Sequence, residues 1–174
     1  MKLLIDAGNT RIKWVLSDGR DWRHADALPV EQAGELLHRL AGLQDIRQAW
    51  VSNVAGEEVA QQIRDACAGL PAQSRFIVAR EAQCGVFNGY SSPAQLGSDR
   101  WAALIAAWHL VRRTCLVVNS GTATTIDALS ARGEFVGGLI LPGVELMQRS
   151  LCDATVQLRP AQAMQGKGNM HRFR

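Results

Sequence analysis

The sequence predicts an α/β protein built on an internal duplication. Three observations carry this. Short apolar runs follow one another in the order β-β-β-α-β-α-β through the first part of the chain. A strand-turn-strand pattern then recurs after residue 114. The composition, 47% hydrophobic and 20% charged over 174 residues, is that of a chain with a packed core rather than a disordered one. The length fits one or two domains of ordinary size.

The elements follow in order. Lys2–Asp6 is an apolar run that reads as a strand, and Gly8-Asn9-Thr10 breaks it with turn chemistry. Ile12, Trp14 and Leu16 alternate with Arg11, Lys13 and Val15, the pattern of a returning strand. Asp21–Ala25 supplies a third strand. Helical spacing through Ala33, Leu36, Leu37 and Leu40 predicts a helix over Val30–Leu40. Gln48–Val54 is a strand, Val59, Ile63 and Ala66 mark a second helix before Pro71, and Phe76–Ala79 is a fifth strand. Three strands in meander followed by alternating elements predict a mixed sheet flanked by helices.

Ser98–Arg113 is the clearest helix. Trp101, Leu104, Ile105, Trp108 and Val111 fall on one face, and Ser98 or Asp99 can cap the start. Beyond it Cys115–Val118 is a strand, Ser120-Gly121-Thr122 a turn, and Thr124–Leu129 the return. Phe135–Leu141 is a further strand, and Pro142-Gly143 leads into a helix to Leu151. Leu4-Ile5-Asp6-Ala7-Gly8-Asn9 and Val117-Val118-Asn119-Ser120-Gly121-Thr122 share one order: apolar strand, polar residue, small residue, glycine, polar residue. Each opens the same strand-turn-strand sequence, which points to a duplicated fold. The expected boundary lies near Thr114, giving domains 1–114 and 115–174.

Several function classes are disfavoured. The 19 Lys and Arg against 16 Asp and Glu leave a small, scattered excess, with no basic run of the kind that lines a nucleic-acid groove. Cys67, Cys84, Cys115 and Cys152 form no CxxC pair, and His24, His38, His109 and His171 show no ligand spacing. The start meets a charge too early for a signal-peptide core, and no apolar stretch is long enough to span a bilayer. The reading is a soluble cytoplasmic protein with neither nucleic acid nor membrane as partner.

The chemistry concentrates at the two turns. Asp6 ends a strand that is expected to be buried, where a carboxylate needs a counter-charge or a donor. A hydrated Mg²⁺ would supply it, since that ion is usually held by one or two carboxylates and by phosphate oxygens. Gly8 lets the backbone approach a ligand, and the groups around Asn9 and Thr10 can donate to phosphate. Lys13 adds positive charge. The bland alternative is a hairpin turn that simply needs Gly-Asn. The second turn, Gly121-Thr122-Ala123-Thr124-Thr125, is rich in hydroxyls and has no bulky tip. Its donors would face the first turn across a cleft, although Thr124 and Thr125 also suit a strand as ordinary β-branched residues. Gly166-Lys167 lacks the rest of a P-loop, Gly166-Lys167-Gly168 lacks the last glycine of a dinucleotide fingerprint, and no GxSxG elbow occurs.

With Asp6-Ala7-Gly8-Asn9-Thr10 and Lys13, Gly97-Ser98-Asp99-Arg100, Gly121-Thr122-Ala123-Thr124-Thr125 with Asp127, and Gly137-Gly138 through Pro142-Gly143, the sequence resembles the type III pantothenate kinases, also known as Bvg accessory factor proteins. Order and spacing agree over roughly residues 1–160. The resemblance implies the sugar kinase/Hsp70/actin fold, two ribonuclease H-like domains around a cleft. It also implies transfer of the γ-phosphate of ATP to pantothenate, the first step of coenzyme A synthesis.

The same resemblance assigns roles. Asp6, Ala7, Gly8, Asn9, Thr10, Arg11, Ile12 and Lys13 look like the first ATP phosphate hairpin, and Thr122 like an ATP contact in the second; the Mg²⁺ held by Asp6 through water stays the reading from the residues. Tyr90, Gly97, Ser98, Asp99 and Arg100 bind pantothenate, with Asp99 as general base. Asp99 also suits a helix first turn, where the dipole favours acids, and Arg100 suits a structural ion pair. Asn119 falls where many family members place an aspartate that binds a monovalent cation, K⁺ or NH₄⁺. The family pairs as homodimers. A regulatory protein that keeps the ATP cleft without catalysis is the alternative on the same fold, and a kinase of another alcohol is a second. The resemblance fades after about Pro160, and Gln162–Arg174 is polar and aperiodic. Family members continue for several tens of residues, so the expectation is a truncated member with an incomplete second domain, poor stability and little kinase activity.

Overall fold

The computed structural model describes residues 1–154, so the stretch Gln162–Arg174 lies outside the described residues. Two five-stranded sheets make up the fold. In the first, β1 (Lys2–Ala7), β2 (Arg11–Ser17) and β3 (Trp22–Pro29) run antiparallel, while β4 (Gln48–Asn53) and β5 (Ser74–Phe76) are added in parallel. The strand order is β3-β2-β1-β4-β5. Strand periodicity puts Leu3, Ile5 and Ala7 of β1 on one side, in register with Leu16, Trp14 and Ile12 of β2, and all six are buried. They meet Leu36 and Leu40 of helix α1 (Leu36–Leu40), and Val59 and Ile63 of helix α2 (Glu57–Cys67).

The helix expected over Val30–Leu40 is split. Val30–Glu35 is a 3₁₀ turn, and only Leu36–Leu40 is α-helical. Ala33 and Leu36 both enter the core, and a separation of three residues places them on one side of a three-residue turn. Gly34 further weakens any α-helix there. The third strand runs to Pro29 rather than to Ala25, and the fifth is Ser74–Phe76 rather than Phe76–Ala79.

The second sheet repeats the meander with β8 (Cys115–Ser120), β9 (Ala123–Leu129) and β10 (Glu134–Pro142). Two short strands that the periodicity does not reveal, β6 (Ala82–Gln83) and β7 (Val86–Asn88), extend it at the β10 edge, giving the order β6-β7-β10-β9-β8. The expected division at residue 114 thus falls between α3 (Ser98–Val111) and β8, while two strands from before it join the second sheet. Helix α3 fills the second core with Trp101, Leu104 and Trp108, packed with Phe135, Leu129 and Val86. Among the described residues, β8 pairs on one side only, whereas β1 is flanked on both. Strands β8 and β10 leave Leu116, Val118, Val136, Leu139 and Ile140 exposed, with Leu116, Val118 and Leu139 on one face, and helix α4 (Val144–Ala154) has no fully buried side chain of its own.

Candidate active site

The two sheets bring their first hairpin turns together. Gly8 N–H donates to the Arg11 carbonyl at 3.0 Å and closes the β1–β2 turn, and Gly121 N–H does the same to the Ala123 carbonyl at 3.0 Å in the β8–β9 turn. The tips touch, with Thr10 Oγ1 and Thr122 Oγ1 2.6 Å apart and both exposed. Residues 112 apart in sequence therefore present two hydroxyls at one point. Such a point is suited to anionic oxygens.

Asp6 stands at the carboxyl end of β1, in register with Lys13 on β2 and Ser52 on β4. Its carboxylate is 4.0 Å from Lys13 Nζ and about half exposed. Burial pushes the Asp6 carboxyl above its ordinary value of 3.8; Lys13 opposes this and the Asp99 charge adds to it. A raised folded-state pKa means that the folded chain holds the Asp6 proton more tightly than the unfolded chain. The stabilisation is present in full below 3.8 and is lost as pH rises through the folded value. Asp6→Asn is therefore expected to raise the denaturation midpoint slightly at pH 7, with the gap closing toward pH 3, as urea titrations at the two pH values would read.

The start of α3 lies against the same end of the first sheet. Ser98 is buried; its Oγ is 3.0 Å from Ser52 Oγ, accepts the Asn53 N–H at 3.1 Å and donates to the Asn53 carbonyl at 3.2 Å. Asp99 follows in the first turn, its Oδ1 accepting the Arg100 N–H at 2.8 Å. A Cβ at Gly97 would stand 2.6 Å from Asp99 Oδ1, so a side chain there would displace that carboxylate.

Arg100 turns the other way, into the second sheet. Its Nη2 donates to Asp127 Oδ1 at 2.5 Å, and its Nε lies 3.1 and 3.2 Å from the two carboxylate oxygens. Asp127 is 0% exposed and Arg100 6%. Gly138, opposite Asp127 on β10, has no side chain because a Cβ would overlap both members of the pair. The Asp127 hydrogen bonds raise the Arg100 pKa; burial opposes them and the Tyr90 hydroxyl reinforces them. The Tyr90 ring packs edge-on against Phe135 with centroids 5.2 Å apart, and the Arg100 guanidinium lies 5.6 Å over the same Phe135 ring. Tyr90, a loop residue by sequence, is fixed by Asn88, whose Oδ1 accepts its N–H at 3.1 Å.

The structure thus gathers Asp6, Lys13, Ser98 and Asp99 around the first sheet's end, joins Thr10 to Thr122, and sets Tyr90 beside Arg100. Asn119 lies near the end of β8, opposite Thr125. Asp127 enters the sequence reading only as a motif residue without a role, and Ser52 does not enter it. Asp127 did leave a signal: it alternates with the inward-facing Thr125 and Leu129, and an ionised carboxylate in such a row requires a counter-charge. Ser52 left none, because a serine in a strand has no pattern of its own. Among the described residues, no three His, Cys, Asp or Glu side chains cluster as a metal site.

The sequence model of the type III pantothenate kinase family matches residues 2–171. A type III pantothenate kinase of Nitrosospira multiformis is 48% identical over 151 residues, which are 87% of this chain and 58% of that protein. The chain spans about three fifths of the length of the curated relatives it matches. Among solved structures, a Baf-family protein from Campylobacter jejuni superposes with a TM-score of 0.56 at 22% identity, covering 92% of this chain and 64% of that one. A Sinorhizobium meliloti protein assigned as a 2-dehydro-3-deoxygalactonokinase gives 0.54 at 13% identity, covering 90% and 58%. These structural likenesses show the fold, the paired ribonuclease H-like architecture of the sugar kinase/Hsp70/actin class. From the family match and the level of identity over nearly its whole length, this chain belongs to the type III pantothenate kinase family.

Proposed function

We propose that the protein transfers the γ-phosphate of ATP to the terminal hydroxyl of pantothenate, giving 4'-phosphopantothenate, the first committed product on the way to coenzyme A. The observation that carries this reading is the meeting of the two hydroxyl-tipped turns at Thr10 and Thr122, beside a helix start that bears Asp99. The groups of Asp6–Lys13 and Thr122 cradle the nucleotide phosphates. Asp99 accepts the proton of the attacking hydroxyl, while Tyr90 and the Gly97–Arg100 turn border the alcohol. Orientation and charge stabilisation supply most of the acceleration in such transfers. Ser98 Oγ and Arg100 Nε and Nη2 already have protein partners, so both enter this reading chiefly as supports for the helix start.

The donor set fits a Mg²⁺ that arrives with the nucleotide. One half-exposed carboxylate, Asp6, with its pKa raised by burial, would gain from a nearby cation, and Mg²⁺ characteristically needs only one or two carboxylates beside phosphate oxygens. When bound, the ion neutralises phosphate charge. At the monovalent position, the Asn119 carbonyl can ligate K⁺ or NH₄⁺ but lacks an aspartate's full charge. Replacing Na⁺ with K⁺ at constant ionic strength is therefore expected to change the rate little; a steep rise would assign Asn119 a full cation site.

The cytoplasm, where ATP is available, is the proposed location; among the described residues no helix is long and apolar enough to cross a membrane. A homodimer is the proposed assembly, supported by the uncovered apolar side chains of the second sheet. The deciding experiment incubates the purified chain, in excess over γ-labelled ATP, with pantothenate and with a panel of small alcohols. Excess enzyme reads slow chemistry as readily as fast. Label on pantothenate is the expected result. Label on another alcohol would change the substrate, and ATP binding without any pantothenate-dependent transfer would assign a regulatory nucleotide-binding role instead.

A further inference from the structure

Asp99 is held from both sheets at once. The residue before it, Ser98, is tied to β4 of the first sheet through Ser52 Oγ and through both backbone polar groups of Asn53. The residue after it, Arg100, is tied to β9 of the second sheet through Asp127. One residue further on, Trp101 Nε1 donates to Gln83 Oε1 of β6, also in the second sheet, at 3.0 Å. Ser52 is itself the register partner of Asp6. The first turn of α3 therefore bridges β4, the neighbour of the strand that carries Asp6, and the sheet whose hairpin carries Thr122.

We propose that Ser52 and Asp127 are positioning residues for Asp99, acting through Ser98 and Arg100, and that this double tether sets the distance from Asp99 to the phosphate turns. The chemistry of each link supports this. Ser98 Oγ is engaged by three polar groups of β4, so its hydroxyl fixes the helix rather than facing a ligand. The Arg100–Asp127 pair is two-pronged, through Nε and Nη2, and two contacts restrict rotation as well as distance. Gly138 leaves the space in which the pair fits. A base in phosphoryl transfer works only when its oxygen is held within reach of the attacking hydroxyl, and a misplacement of about 1 Å can cost on the order of 100-fold in rate. The catalytic part of this inference rests on the reading of Asp99 as the base.

The test uses Ser52→Ala and Asp127→Asn in the full chain, alone and combined with Asp99→Asn. Both are near-isosteric and leave no large cavity; Asp127→Asn also strips the buried Arg100 guanidinium of its counter-charge, so the exchange pattern across the chain is read alongside the rate. Expected is a fall in pantothenate phosphorylation of about 10- to 100-fold with the KM for ATP nearly unchanged. Neither variant should lower the rate further once Asp99 is Asn. Amide hydrogen exchange over 97–104 should quicken on the order of 10-fold while α2 and the β1–β2 hairpin keep their protection. An unchanged rate, or a loss that persists undiminished on the Asp99→Asn background, overturns the positioning role. Exchange that quickens across the whole chain overturns it in favour of a general structural role. If the parent chain transfers no phosphate to pantothenate, the proposed function fails by itself. The exchange measurement, which needs no turnover, then upholds or overturns the tether alone.

Discussion

Replacing Asp99 with Asn is expected to lower pantothenate phosphorylation by about 10²–10⁴-fold, the usual range for loss of a general base, while leaving nucleotide affinity nearly unchanged. Three observations motivate the split. Asp99 sits in the first turn of α3 with its Oδ1 held by the Arg100 N–H, a bond that an asparagine carbonyl can also accept. The Thr10 and Thr122 hydroxyls that would meet the phosphates belong to separate hairpins. The Asp99 charge is also one of the influences that raise the Asp6 pKa, so its removal relieves a like-charge repulsion rather than opening the phosphate site. Single-turnover transfer of γ-label measures the first quantity, and calorimetric titration with Mg-ATP the second. A folded Asp99→Asn variant with near-parental transfer would remove Asp99 from the base role and leave it as a first-turn acid favoured by the helix dipole.

Arg100→Met is expected to cost about 3–5 kcal/mol of folding stability, because it strands a buried carboxylate. Asp127 is wholly enclosed, and its counter-charge comes from the Arg100 Nε and Nη2 groups. Its β10 neighbour is Gly138, which offers no side-chain donor. The double variant Arg100→Met/Asp127→Leu should recover most of the loss, since a buried ion pair can often be exchanged for apolar side chains at little net cost. Urea denaturation of the two single variants, the double variant and the parent at pH 7 gives the coupling directly. The double variant would restore stability without restoring turnover, because the methionine lacks the two-pronged contact that fixes the first turn of α3. A single-variant loss under about 1 kcal/mol would mean that water reaches Asp127 once the guanidinium is gone.

Periodicity and turn chemistry determined much of this protein by themselves. The meander of the first sheet, helices α2 and α3, the second meander and the duplicated turns all follow from local patterns: alternation in Ile12–Leu16, a helical stripe through Trp101, Leu104 and Trp108, and Gly-Asn and Gly-Thr at the tips. The motif residues of the candidate site were legible for the same reason, since each lies in a short contiguous run. Other features depend on partners distant in the chain. Strands β6 and β7 are two and three residues long and exist because β10 offers them an edge. The split of the first helix depends on Ala33 and Leu36 having to reach one core from one side. Whether Ser98 and Arg100 face a ligand or the protein is decided by what lies across from them: two β4 residues 45 and 46 positions earlier, and a carboxylate 27 positions later. Sequence records a hydroxyl or a guanidinium and its spacing; only the packing of α3 between two sheets decides which groups saturate it, because a buried polar atom without a partner is costly and takes whatever partner the fold brings near.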